Sequence, residues 1–273
     1  MPFRHVIRSV AERGADMKLK LNDNVKKALM NVVYPLIALL LVLAVWWIVA
    51  EVKDKPLVFP TPDKVVVNFF DLFSGVNFWK AVGMSVARTV ICFLISFVSA
   101  FLMAVLGGLW KPIHRVISPI ISILRSAPTL AIILIIMLWL DGQRAPVVIG
   151  FLIAFPLLYQ AVYTAITGVD RDLVEMAKLY KVKPFDVVFG LYAPEIAPQV
   201  FDVSRSTISL TLKVIIAAEV MTYARGSIGL EMQKANMSFD VSVLLAWTVL
   251  AVALSFVFEG IVLGLKKLWE VKR

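Results

Sequence analysis

The chain has 273 residues, 60% of them hydrophobic and 17% charged, with a formal net charge of +9. Apolar runs this long and this poor in charge exclude an ordinary water-soluble domain. The basic surplus does not point to nucleic acid, because the Lys and Arg residues gather at the ends of apolar runs, where membrane orientation and anionic lipid explain them. No nucleic-acid partner is expected.

In chain order, residues 1–30 form a polar, basic segment read as cytosolic, with Phe3 to Lys27 a candidate interfacial helix. No A-x-A site follows the first apolar run, so that run is expected to stay as an anchor rather than be cleaved. Crossing a hydrocarbon core of about 30 Å takes about 20 helical residues, and only helices or closed barrels satisfy the backbone there. Ala28–Ala50, Thr89–Trp110, Ala145–Val169 and Val241–Phe258 carry no charge, and the last stays largely apolar past Glu259 to Leu265. They predict spans over about 31–51, 88–110, 145–167 and 241–265.

Two further spans are less clean. Ser126–Leu140 is uncharged and apolar sequence precedes it through Ile117–Leu124, predicting a span over 117–140 interrupted at Arg125 and Pro128. Ile208–Met221 contains Lys213 and Glu219 and predicts a span over 206–223. The expected fold is an all-α membrane bundle of six transmembrane helices, one domain over 31–273.

Loop charge orients it. Seven basic residues precede the first span (Arg4, Arg8, Arg13, Lys18, Lys20, Lys26, Lys27) and four close the chain (Lys266, Lys267, Lys272, Arg273). With both termini in the cytosol, Lys111 and Arg115 of the second loop and Arg171, Lys178, Lys181, Lys183 and Arg205 of the fourth fall inside too. The inner side then holds 18 of the 28 basic residues and the outer loops seven. The long fourth loop, about 170–200, is therefore cytosolic.

Chemistry-bearing constellations are scarce. Cys92, the single cysteine, reads as a small core hydrophobe, and His5 and His114 have no ligand-like spacing, so no metal site is expected. There is no G-x-x-x-x-G-K-[ST] phosphate loop, and the intramembrane charges are too few for a proton relay. No catalytic residues are assigned, and the chain is expected not to be an enzyme. The small residues Ser96, Ala100, Ala104 and Gly108, four apart, form a stripe for close helix approach. Ser118, Ser122 and Ser126 repeat the spacing, with hydroxyls that face water or bond back to the helix.

Lys213 and Glu219 stand out as intramembrane charges. At 1.5 Å per residue Lys213 lies roughly 10 Å in from Ser206 and Glu219 about 9 Å further, rotated by about 120°, so the two form no simple pair. Two readings of Lys213 stand side by side: it lines a path favouring an anionic or strongly polar solute, or it snorkels to the cytosolic interface or pairs with a neighbouring helix. Glu219 is assigned a structural or gating role. Arg88 and Arg125 are read as span-boundary anchors.

In the fourth loop, Leu173, Ala177 and Tyr180 share one helical face, with Asp172, Glu175 and Lys178 on another. Pro184 is expected to end this short helix, and Pro194 with Pro198 to prevent a continuous helix before the fifth span. Glu175 and Ala177, with Pro194 and Pro198 at 19 and 23 positions after the Glu, resemble the signature loop of ABC-importer permeases. Met176 replaces the middle Ala of its E-A-A element, and Lys181 the Gly that lies six residues after the Glu. Such a Gly permits positive φ at the helix end, which Lys181 reaches only at a cost of roughly 1 kcal/mol, so a reshaped turn is expected. Lys181 is read as a solvated charge or as a salt-bridge donor to a partner.

Other pieces resemble the nitrate, sulfonate and taurine branch of that family. They are Phe59-Pro60-Thr61-Pro62, Ser85-Val86-Ala87-Arg88 (S-x-x-R), Arg125 to Ala131 (R-x-x-P-x-L-A), Leu138-Trp139, Arg205, Ala218-Glu219 and Ile228-Gly229, together covering roughly 57–265. The family's Phe-Gly after the Trp becomes Leu140-Asp141. At the Lys213 position the family usually carries a small or apolar residue, whereas Glu219 belongs to its shared pattern.

The resemblance implies a type I importer permease whose loop helix, with Asp172, Glu175, Ala177, Lys178, Lys181 and Pro194, docks on a separate ATPase dimer. It further implies a second permease copy, a periplasmic or lipid-anchored solute-binding protein, the bacterial inner membrane, and alternating access. ATP and Mg would be bound by the partner, with no cofactor in this chain. A stand-alone secondary transporter or channel is the rival reading. The solute is left open among nitrate, sulfonates, taurine, bicarbonate-like anions and vitamin precursors.

Overall fold

The structure, a computed structural model, describes Met30, residues 33–53, Lys55 and residues 58–271. The predicted interfacial helix over Phe3 to Lys27 lies outside the described residues. These divide into two units, separated between Lys64 and Val65. In the first, helix α1 (Val33–Lys53) is long and apolar enough to cross a membrane, and Trp46 Nε1 donates to the Pro60 carbonyl at 3.1 Å.

Beyond α2 (Pro62–Leu72), the second unit is built from α3 (Phe78–Leu109), α4 (Lys111–Ser126), α5 (Thr129–Trp139), α6 (Ala145–Thr167), α7 (Arg171–Leu179), α8 (Pro184–Val187), α9 (Ala193–Thr222), α10 (Ile228–Met237) and α11 (Val241–Val271). No strand occurs among the described residues. The helices α3, α6 and α11 also have the length and apolarity of spans. The helix that covers the predicted second span begins at Phe78, ahead of residue 88, and carries Lys80 and Arg88 within it.

Between α4 and α5 the chain bends by 101°, which makes the pair a broken span or a re-entrant loop rather than a straight crossing. The residue before a proline is disfavoured from helical dihedrals, and Ala127 is extended at φ −67°, ψ 134°. The expected interruption at Pro128 is thus present. The helix α9, with Asp202, Arg205, Lys213 and Glu219 inside it, does not meet the apolar criterion of the other spans.

The expectation that Pro194 and Pro198 break the chain before α9 is incorrect. A helical run extends from Pro184 to Thr222, with one π turn at Val188–Tyr192. Ala193 N–H bonds to Val188 O, five residues back. That widened turn stands directly before Pro194, where a tighter helix would drive the pyrrolidine ring into a carbonyl one turn earlier, and Pro194 falls in the first turn of α9, which tolerates a missing donor.

The core lies where α6 packs between α3 and α9. Ser96, Ala100 and Ala104 are fully buried, and a Cβ on Gly108 would stand 3.0 Å from Ile166 Cγ2. The small-residue stripe therefore serves close packing, as predicted. Cys92 is buried at the same crossing, its thiol 3.4 Å from the Val147 carbonyl. Ser122 and Ser126 bond back to the carbonyls of Ser118 and Ile123.

Candidate functional site

Three motif fragments far apart in sequence meet in one buried cluster. The carboxylate of Glu219 on α9 has no exposed surface, and the Arg88 side chain on α3 is 7% exposed. Glu219 Oε1 accepts from Arg88 Nη1 at 2.8 Å, and Oε2 accepts from Ser85 Oγ at 2.6 Å and from the Gly229 backbone N–H at 3.3 Å. Ser85 Oγ in turn accepts from Ile228 N–H at 3.0 Å. The second Arg88 nitrogen, Nη2, donates to the side chain of Gln143 in the turn before α6.

Each partner has a structural reason to be there. Ser85 and Arg88 are three apart on one face of α3. Glu219 stands in the last turn of α9, which ends in a left-handed residue, Tyr223 (φ 52°), with Ala224 N–H on the Glu219 carbonyl at 3.2 Å. That reversal brings the N-terminus of α10 back onto the carboxylate, where free N–H groups and the helix dipole favour negative charge. Only glycine fits at 229: a Cβ there would contact Glu219 Cβ and stand 2.6 Å from Val220 N and 2.8 Å from Ile216 O. Asp141, at one of the motif departures, accepts the N–H groups of Gln143 and Arg144 at 2.9 and 3.0 Å and so holds the turn that presents Gln143.

The anchor reading of Arg88 is therefore incorrect. It is a buried ion-pair partner, because a carboxylate taken out of water needs a counter-charge and donors. Sequence had supplied S-x-x-R, A-E and I-G as separate fragments; Gln143 carried no signal.

The second feature is the exposed helix α7. Asp172 and Glu175 are exposed on it. Val174 packs towards Ala165, Val169 and Ile196, and Ala177 is half-buried. Leu173, Met176, Leu179 and Tyr180 are exposed by 41, 53, 79 and 75%. The predicted face Leu173–Ala177–Tyr180 is accordingly split, Ala177 inward and the other two outward. Lys178 lies on this helix.

The helix ends in a Schellman-type reversal: Val182 N–H bonds to the Ala177 carbonyl at 3.0 Å and Lys181 takes φ 52°. The lysine thus adopts the conformation that the family glycine would supply. Its side chain is exposed, and Pro194 stands thirteen positions on, within α9.

Residues 100–268 match the family described as the binding-protein-dependent transport system inner membrane component. The chain belongs to this family of ABC-importer permeases. The permease is 22% identical over 237 residues to the taurine transport system permease protein TauC of Escherichia coli K12, covering 84% of this chain and 85% of that one. It is 26% identical to the putative aliphatic sulfonates transport permease protein SsuC of the same organism, over 84% and 87%. With the nitrate import permease protein NrtB of Synechococcus elongatus the identity is 25%, over 68% and 70%. Among solved structures, inward-facing crystal forms of the MetNI methionine ABC transporter share the fold at TM-scores of 0.55 and 0.59, with 19% and 18% identity, covering 67% and 68% of the permease and 94% and 93% of those chains.

Lys213 lies apart from the cluster. It is exposed on α9 together with Ser206, Leu210 and Ala217, spaced four, three and four apart along one face. Among the described residues no carboxylate pairs with it. Two other charges of α9 are paired, Arg205 with Glu259 at 3.2 Å and Asp202 with Lys266 at 2.7 Å.

Proposed function

We propose that this chain is the membrane-spanning subunit of an ATP-driven importer in a bacterial inner membrane, moving a small polar or anionic solute by alternating access. It does no chemistry itself. A separate ATPase dimer binds ATP and Mg, a solute-binding protein delivers the solute to the outer face, and a second permease copy completes the path. In this reading α9 is a span despite its charges, the termini are cytosolic, and α7 is the coupling helix.

The observation that carries the reading is α7 itself. A nine-residue helix carries Glu175 and leaves Leu173, Met176, Leu179 and Tyr180 uncovered at the junction of two long helices. Apolar side chains raised on a charged helix suit a groove in a partner. Behind it, Val174 packs against the buried cluster of Ala165 on α6, Val169 and Ile196 on α9. A push on α7 is thereby carried to α6 and α9 together.

Co-expression with the neighbouring ATPase and binding-protein genes, purification and reconstitution in lipid test this. ATP hydrolysis stimulated by the loaded binding protein, and lost in Glu175→Ala and Leu179→Asp, is the expected result. If no ATPase copurifies and solute still moves down its gradient, a secondary transporter replaces this reading.

A further inference from the structure

The helix α5 is a rod of 11 residues between two non-helical joints. At its start Ala127 is extended and the chain turns through 101° from α4. At its end Leu140 is extended at φ −122°, ψ 148°. Along the rod only Ile132 and Ile133 are buried, Ile133 in a small apolar cluster with Ala145 and Ile149 of α6 and Val214 and Ala218 of α9. Leu130, Leu134, Ile135, Leu138 and Trp139 are exposed. Besides that cluster, the turn that follows α5 fastens it.

In this turn a Cβ on Gly142 would run into the Thr222 carbonyl oxygen, so the backbone lies directly against the last turn of α9. Gln143 donates its backbone N–H to Asp141 Oδ1, and its side-chain Oε1 accepts from Arg88 Nη2. The two bonds of Arg88 differ in kind. Its bond to Glu219 neutralises a buried carboxylate, and breaking it would strand two charges. Its bond to Gln143 goes to the neutral amide of an exposed residue, which water can replace. Releasing Gln143 therefore leaves the ion pair whole.

We propose that Gln143 is a latch. Bonded to Arg88, it holds α5 against α6 and α9; its release during the transport cycle lets α5 swing about the Ala127–Pro128 joint, with the Arg88–Glu219 pair as the fixed post. Gln143 is thus a positioning residue that acts through Arg88. The proposal rests on the importer reading and adds to it the element that moves and the bond that restrains it.

The test uses the permease–ATPase complex in lipid and the labelling rates of two buried thiols with N-ethylmaleimide. Ile133→Cys, in a Cys92→Ala background, places a thiol under α5; native Cys92 lies between α3 and α6. Gln143→Ala should speed labelling at 133 roughly tenfold, the weight of one hydrogen bond to a charged donor, and leave Cys92 slow. Gln143→Glu, which keeps the acceptor, should restore the slow rate. Trapping the ATPase with ATP, Mg and vanadate should speed labelling at 133 with Gln143 intact. A rate at 133 indifferent to Gln143→Ala, a Gln143→Glu variant as fast as Gln143→Ala, equal acceleration of both thiols, or no response to trapping overturns the latch. The comparison of position-143 variants needs no ATPase, and ATPase copurification is scored in the same preparation, so failure of the importer reading is separable from failure of the latch.

Discussion

Removing Arg88 should destabilise the permease more than any surface substitution. The Glu219 side chain is wholly buried and its counter-charge is at 2.8 Å, so Arg88→Ala leaves a carboxylate out of water with only Ser85 Oγ and Gly229 N–H as donors. Breaking a buried pair from one side costs about 3–5 kcal/mol, and at roughly 2–4 °C per kcal/mol for a chain of this size the melting temperature should fall by about 6–20 °C. Glu219→Gln should cost a comparable amount, since the amide keeps an acceptor but strands the guanidinium. The double variant Arg88→Met with Glu219→Leu removes both charges and should recover most of the loss, giving a coupling of at least about 2 kcal/mol. The assay is unfolding of the purified permease in detergent, by heat and by SDS titration, for the wild type, both single variants and the double. Single losses below about 1 kcal/mol, or losses that add in the double, would refute the claim that the pair is desolvated and mutually dependent.

Three further outcomes follow from the same geometry. Gly229→Ala places a methyl group against the Glu219 side chain and within 3 Å of two α9 backbone atoms, and should cost about 3 kcal/mol or prevent membrane assembly, read from the folded yield. Lys181→Gly removes a left-handed penalty of roughly 1 kcal/mol at φ 52°. Hydrogen exchange at the Val182 amide, bonded to Ala177 O, should slow, and faster exchange would mean that the lysine side chain itself holds the turn. Lys213→Ala should lower nitrate or alkanesulfonate uptake while ATPase copurification persists; unchanged transport removes Lys213 from the path.

The apolar runs were legible because a membrane span declares itself by length and composition, and α1, α3, α6 and α11 lie where charge-free segments predicted helices. The positive φ at Lys181 was not legible: a lysine in place of the family glycine pointed to a reshaped turn, whereas a helix that must reverse here takes a left-handed residue despite its side chain. Nor could pairing be read. Arg88 and Glu219 are 131 residues apart, and each taken alone is an isolated intramembrane charge, so Arg88 looked like a boundary residue. The continuity of Pro184 to Thr222 was missed for a different reason: Pro194 and Pro198 are breakers in a regular α-helix, and the π turn that stands just before Pro194 has no sequence mark of its own.

These features bear on how motion at α7 would be distributed. The Glu219 end of α9 is tied to α3 and α10 by an ion pair and two further hydrogen bonds, while Ile196 near its other end belongs to the apolar cluster with Ala165 and Val169 against which Val174 of α7 packs. Hydrogen-bonded buried charge is costly to displace, whereas apolar surfaces slide at little cost. Compliance is then expected where the helical ladder is already irregular, at the π turn Val188–Tyr192 and at the 101° bend between α4 and α5.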